Sequence, residues 1–282
     1  DQLPSVGAGN LFADLIRSGR VETVRLTEIF RQASQSLIVM NAHAVNHGEL
    51  PVLNCTDRDF FFLRRRDPEA VVQTIAQLCQ TRLPKNMGIP ATEIQVLSPT
   101  RKGETGTKNL NLALQAVLNP PAAGKKEKRY GDFSFREGDR VMQIRNNYDI
   151  LWKNPNGLGA GTGIFNGDIG VIVQIDYEAE LVTVDFDDKR AEYSFDLLGE
   201  LEPAYAMTIH KSQGSEYRAV ILSAFAGSPY LLTRSVLYTA ITRARELLIV
   251  VGDEEVLAAM VRNDRRQKRY SGLKLRLEEG TA

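Results

Sequence analysis

The residues best equipped for chemistry lie in two short runs. TIHKSQGSEY, residues 208–217, carries Thr208, His210, Lys211, Ser212, Gln213, Ser215 and Glu216 between two apolar stretches, broken only by Ile209 and Gly214. Strands are ordinarily joined by Gly, Pro, Asn or Asp turns. A connection with this many hydrogen-bonding side chains and a single Gly is suited to holding a ligand. The second run, VLYTAITRARELLIVVG (236–252), brings Thr242, Arg243 and Arg245 to the point where a helix passes into a buried strand. Guanidinium is always charged and forks its donors, so it suits phosphate oxygens. Taken alone, the pattern fits structural surface arginines equally well.

Other patterns fail on their surroundings. HAVNH (43–47) has two histidines at helical zinc spacing, but Ala44 stands where a metalloprotease needs Glu, and no third ligand follows. GLGAGTG (157–163) follows an Asn-Pro-Asn turn and opens no helix, so it reads as a hairpin connection. GETGTK (103–108) lacks the Gly-Lys-Ser/Thr order with which backbone amides and Lys surround phosphates, and no stretch of the chain has that order. LIVVGDEE (248–255) ends in acidic residues that read as a helix N-cap at Asp253 followed by dipole-favouring glutamates. No metal site is expected.

Charge and composition narrow the classes. The 282 residues hold 35 basic and 35 acidic side chains, for a formal net charge of zero. A protein held to nucleic acid by a blanket of positive charge is excluded, whereas a groove with few phosphate contacts is not. RRR (64–66), KKEKR (125–129) and RNDRRQKR (262–269) read as solvated surface. Two cysteines, Cys55 and Cys79, are too few for a disulfide framework and fit a reducing cytoplasm. No apolar run has the roughly 18–20 residues that span a bilayer.

These groups need elements to position them. Helices are expected at 11–17, 36–47, 67–83 (Asp67 as N-cap, Pro68 at the first helical position), 109–118, 233–244 and 254–262. Strands are expected at 21–26, 93–99, 218–224 and 246–251. Residues 119–135 read as a Pro, Gly and Lys-rich linker. DRVMQIRN, GDIGVIVQID, ELVTVDFD and AEYSFD then read as short antiparallel strands of a small barrel. The expected fold is α/β: a parallel-sheet domain (1–135 and 201–282) interrupted by a small antiparallel β-barrel (136–200). The polar loop at 208–216 is expected to leave a central strand at its carboxyl end, where such sheets bind ligands.

Taken in order, DQLPSVGAGN, LTEIFRQ, VLSPTRKGETGT, GDRVMQIRNNYD, FNGDIG, TIHKSQGSEY and LYTAITRAR resemble the C-terminal part of RecD-like helicases of superfamily 1B, the exodeoxyribonuclease V alpha-subunit family. These are motors that move 5′ to 3′ on DNA. The resemblance implies that Gln2 senses the γ-phosphate, and that Arg31 and Arg243 act as catalytic arginines on the triphosphate. It implies that Gly214 and Glu216 face the nucleotide. Thr100, Arg101, Asn146, Asn147, Thr208, His210, Lys211 and Ser212 would lie along single-stranded DNA. It further implies ATP and Mg²⁺, with a phosphate loop and magnesium-binding residues in a first motor domain preceding residue 1. The resemblance also implies that the α/β domain is RecA-like (P-loop NTPase type), a second motor domain, and that the barrel is its Src-homology-3-type insert. Whether such a protein acts alone or with nuclease subunits stays open. A non-enzymatic nucleic-acid-binding module derived from a helicase is the alternative.

Overall fold

The computed structural model describes residues 2–4, 9–25, 35–55, 57–157, 159–225, 227–265 and 271–280. Along the chain run α1 (Leu11–Ser18), α2 (Leu37–His47), β1 (Phe60–Arg64), α3 (Pro68–Gln77), α4 (Leu83–Met87), β2 (Ile94–Ser98) and α5 (Thr107–Leu118). Next come β3 (Glu127–Tyr130), β4 (Phe133–Arg136), β5 (Arg140–Gln143), β6 (Asn147–Lys153), β7 (Ala160–Ile164), β8 (Ile169–Asp176), β9 (Leu181–Phe186), β10 (Lys189–Ser194) and β11 (Leu201–Pro203). The chain then returns through β12 (Ala206–Thr208), β13 (Tyr217–Ala224), α6 (Arg234–Ile241), β14 (Ala244–Gly252), α7 (Glu254–Arg262) and α8 (Leu273–Glu279).

The parallel sheet has the order β1-β14-β13-β2-β12, and all four pairings are parallel. AVILSA and LLIVVG are almost continuously apolar because both faces of a parallel sheet are covered. Alternate residues divide between two cores, as the strand repeat requires. Val220, Leu222, Leu248 and Val250 pack with α2, α6 and α7 through Val45, Leu237, Ala240, Leu257 and Met260. Ala219, Ile221, Ile249 and Val251 face Val71 and Ile75 of α3 and Leu110 and Leu114 of α5.

The insert is a seven-stranded sheet of order β11-β5-β8-β9-β10-β6-β7, with antiparallel neighbours. It curls around one core that includes Val141, Ile150, Ile164, Ile172, Val184 and Leu201. Tyr193 lies fully inside it, satisfied by donating to Gln143 Oε1 at 3.0 Å. The α/β domain with an antiparallel insert is therefore present, the barrel taking the form of a curled sheet with two ends.

Several elements differ from expectation. The supposed linker holds the β3–β4 hairpin, in which Tyr130 pairs with Phe133 across Gly131-Asp132. Such a two-residue loop suits the twist of paired strands, and Phe135 goes into the insert core. The helix expected over 67–83 begins as predicted, with Asp67 accepting from Ala70 N–H at 2.8 Å, but changes at Leu78–Arg82 to a single π turn. Pro84 has no N–H for the carbonyl of Gln80, and its ring would crowd that carbonyl in a regular helix. Residues 21–25 form no strand, and Leu26 lies outside the described residues. The edge strand β1 was not anticipated. RRR is partly engaged there: Arg64 pairs with Glu254, and Arg65 Nε donates to Thr74 Oγ1 at 2.8 Å.

Candidate nucleotide and nucleic-acid interface

The described residues expected on the nucleotide side, Gln2, Gly214, Glu216 and Arg243, lie near the amino ends of β13 and β14. Tyr217, which opens β13, donates its N–H to Arg243 O at 2.8 Å. Arg243 follows α6 and is only 5% exposed. Its Nε donates to Thr239 O (3.2 Å), Nη1 to Ser215 O (2.8 Å) and Nη2 to Thr242 Oγ1 (3.2 Å). These carbonyls and hydroxyls are neutral, and among the described residues no carboxylate pairs with this guanidinium. A buried cation satisfied by neutral oxygens keeps its full charge available to an anion.

Residues 2–4 are stitched to the same place. Thr239 Oγ1 accepts from Leu3 N–H at 3.0 Å and donates to Ser235 O at 2.7 Å. Gln2 Nε2 donates to Thr242 Oγ1 (3.4 Å), and Gln213 Nε2 donates to Leu3 O (3.0 Å). Three stretches far apart in sequence thus interlock around Arg243. Gly214 has φ +84° with no heavy atom near the position of an added Cβ, so backbone sign rather than crowding demands glycine. Glu216 is exposed beside it. Arg31 lies outside the described residues, as does the rest of 26–34.

Two expectations are corrected here. Helix α6 ends at Ile241 rather than 244, because Arg243 turns back to take the carbonyl of Thr239. Arg245 is therefore an exposed residue of β14 and not a helix residue. The polar loop leaves the edge strand β12, not a central one, and runs from the carboxyl end of β12 to the amino end of β13. One loop therefore touches both ends of the sheet.

The residues expected along nucleic acid surround the junction of the two sheets. Thr208 closes β12 opposite Ser98. His210 is an exposed residue whose ring is packed closely enough for burial to hold its pKa below the ordinary histidine value. Ser212 is fully buried and donates to Ile209 O at 2.8 Å, so its hydroxyl closes the turn. Thr100 is half-buried, and its carbonyl, with that of Arg101, takes the N–H groups of Thr107 and Lys108, both at 3.1 Å. Those two amides at the start of α5 are thus occupied. Arg101 and Lys211 both reach Glu202, at 2.6 and 2.7 Å. On the insert, Asn147 Nδ2 donates to Glu200 Oε2 (3.0 Å), and Asn146 Oδ1 accepts from Asn166 N–H (3.0 Å).

Sequence reasoning missed Glu200, Glu202 and Asp139. Asp139 is fully buried and accepts from Gln115 Nε2 (2.6 Å), Asn119 Nδ2 (2.7 Å), Arg136 N–H (2.8 Å) and Tyr205 OH (2.9 Å). Burial raises its pKa against the pull of those donors. The histidine pair is structural: His47 Nδ1 meets His43 O at 2.8 Å within α2. Asp253 caps α7, accepting from Glu255 N–H. Burial pushes the Cys79 thiol up to about 12, which removes it from thiolate chemistry. Among the described residues, no group of three His, Cys, Asp or Glu is placed to hold a metal ion.

Comparison with known proteins adds three family matches: an AAA domain at residues 1–61, an ATP-dependent RecD-like DNA helicase SH3 domain at 110–186, and a UvrD-like helicase C-terminal domain at 203–251. The chain is 33% identical over 257 residues to the ATP-dependent RecD2 DNA helicase of Deinococcus radiodurans, covering 89% of this chain and 31% of that protein. It is 28% identical over 297 residues to the RecBCD enzyme subunit RecD of Mycobacterium tuberculosis, covering 99% and 47%. It therefore spans about a third to a half of these relatives. A solved Pif1 helicase from Bacteroides, in complex with ADP-AlF3 and ssDNA, is similar over 94% of this chain and 62% of that one, with TM-score 0.47 and 17% identity.

Proposed function

Because the chain belongs to the RecD-like helicase family, we propose that it is the part of an ATP-dependent 5′-to-3′ DNA helicase that supplies arginine to the nucleotide and grips single-stranded DNA. The observation that carries this reading is Arg243. Its buried guanidinium has no acidic partner among the described residues, and it is bonded to the same loop that continues to His210 and Lys211. A motor needs one element in touch with both fuel and track, and residues 208–217 are such an element. In phosphoryl transfer the protein's task is positioning and charge neutralisation. Arg243, joined by Arg31, would provide that charge when a second motor domain closes on ATP. Gln2, Gly214 and Glu216 would line the same side.

In the proposed organisation, residues 1–135 and 201–282 form the motor unit and 136–200 the insert, whose sheet is completed by β11 at Leu201–Pro203. Thr208, His210, Lys211, Thr100, Arg101, Asn146 and Asn147 would follow the strand through its phosphates, independent of base sequence. Ser212 would shape the turn from inside. Among the described residues, no group of three His, Cys, Asp or Glu could hold Mg²⁺. The phosphate cradle and the metal ligands would come from another motor domain, and nuclease–helicase subunits are further proposed partners. Work in the cytoplasm is part of the proposal. No helix among the described residues is long and apolar enough to cross a membrane.

Arg243→Ala in the full-length protein tests the reading. ATP turnover should fall by ~10³–10⁵-fold, while DNA binding without nucleotide stays near wild type. Unchanged turnover would remove the assignment. The alternative, a non-enzymatic nucleic-acid-binding module, predicts no nucleotide-dependent change in DNA binding in either protein.

A further inference from the structure

Glu202 lies in β11, where the insert hands the chain back to the parallel sheet. Its Oε1 accepts from Arg101 Nη2 at 2.6 Å and its Oε2 from Lys211 Nζ at 2.7 Å. Arg101 comes from the loop after β2 and Lys211 from the turn after β12, so two loops bring their cations to one carboxylate. Two residues earlier, Glu200 Oε2 accepts from Asn147 Nδ2 at 3.0 Å and Gln143 Nε2 at 2.9 Å. Three side chains assigned to DNA phosphates are thus each already bonded to a carboxylate oxygen.

The exposure of the triad shows which member is fixed and which are free to exchange. The side chain of Arg101 is 69% exposed and that of Lys211 33%, whereas that of Glu202 is 24% exposed and anchored in a strand. Ion pairs in contact with water contribute little, about 0–1 kcal/mol, so both cations can leave without unfolding anything. While they stay, the triad carries one net positive charge instead of two. A phosphate arriving at Arg101 and Lys211 must displace the carboxylate or bind against its repulsion.

Resting on the DNA-gripping reading above, we propose that Glu202 is an internal competitor for the phosphate backbone. It holds Arg101 and Lys211 at phosphate-like spacing when the strand is absent, and it lowers the affinity of the site so that each phosphate can be released as the strand moves. Glu202 is a positioning residue acting through the two cations.

Glu202→Gln tests this, because the amide keeps the shape and one acceptor oxygen while losing the charge. Binding of a fluorescent oligo-thymidine to the 282-residue chain is followed by anisotropy across a salt series. The variant should bind ~3–10-fold more tightly at low salt, with a salt slope steeper by ~0.7, the increment for one more neutralised phosphate on a single strand. Glu202→Asp should keep the wild-type slope. With Arg101 and Lys211 both changed to Ala, adding Glu202→Gln should alter neither affinity nor slope. An unchanged or shallower slope in Glu202→Gln, with salt-dependent wild-type binding intact, overturns the competitor role and leaves the DNA reading standing. Wild-type binding that is indifferent to salt and to the Arg101/Lys211 double change overturns the DNA reading and the competitor role together. A thermal melt of each variant separates lost binding from lost folding.

Discussion

His210 shows how a single side chain can carry a pH signal on this surface. Burial of its ring disfavours the imidazolium, so the folded-state pKa lies below the unfolded one. The unfolded chain therefore binds the proton more readily. Stability from this residue is fully present above the ordinary histidine value of about 6.5 and is lost as pH falls through the lowered one. DNA affinity should move in the opposite sense, since protonation adds a cation facing phosphates. Oligo-thymidine binding is expected to strengthen on acidification, and His210→Gln should flatten that rise. An identical profile in the variant would remove His210 from the contact. Gly214 makes a conformational demand nearby. Its positive φ in open space means that Gly214→Ala should strain the loop without any clash, showing as weaker DNA binding together with a lowered melting temperature.

At the scale of elements, Asp139 joins α5, the β3–β4 hairpin and the return segment before β12 through four donors aimed at one buried carboxylate. Asp139→Ala leaves those donors buried without their acceptor and should cost about 3 kcal/mol. Urea unfolding would measure it, and a loss under about 0.5 kcal/mol, the range of ordinary surface substitutions, would show that water replaces the carboxylate. Nothing in EGDRV marks Asp139 as buried, because its partners come from residues 115, 119, 136 and 205. The parallel strands were legible, since AVILSA and LLIVVG cannot be solvated on either face. So was the start of α3, where Asp67 and Pro68 signal locally. β1 escaped because FFFLR is short and takes its meaning only from β14 beside it. The hairpin at 127–136 escaped because lysines and prolines hid a Gly-Asp turn between alternating residues. Arg243 was singled out by chemistry, but its grip on Thr239 O, which ends α6 early, depends on three-dimensional proximity.

At the scale of the whole molecule, zero net charge and the proposed nucleotide side around Arg243 make a further expectation. The 282-residue chain on its own should bind single-stranded DNA weakly and with strong salt dependence, and should not hydrolyse ATP measurably. Its purified form, assayed with Mg²⁺ and oligo-thymidine, checks both; robust turnover would reveal a nucleotide site made of other residues. The way the insert is attached has a mechanical consequence. The start of β5 and the segment that returns to the parallel sheet lie side by side, with Ala204 N–H donating to Arg140 O at 2.9 Å and Arg140 Nη1 donating to Ile94 O at 3.2 Å. Under the proposed function, a thrust on a strand lying against the insert would reach β12 through this junction, and the loop that begins at β12 would carry it on towards Arg243.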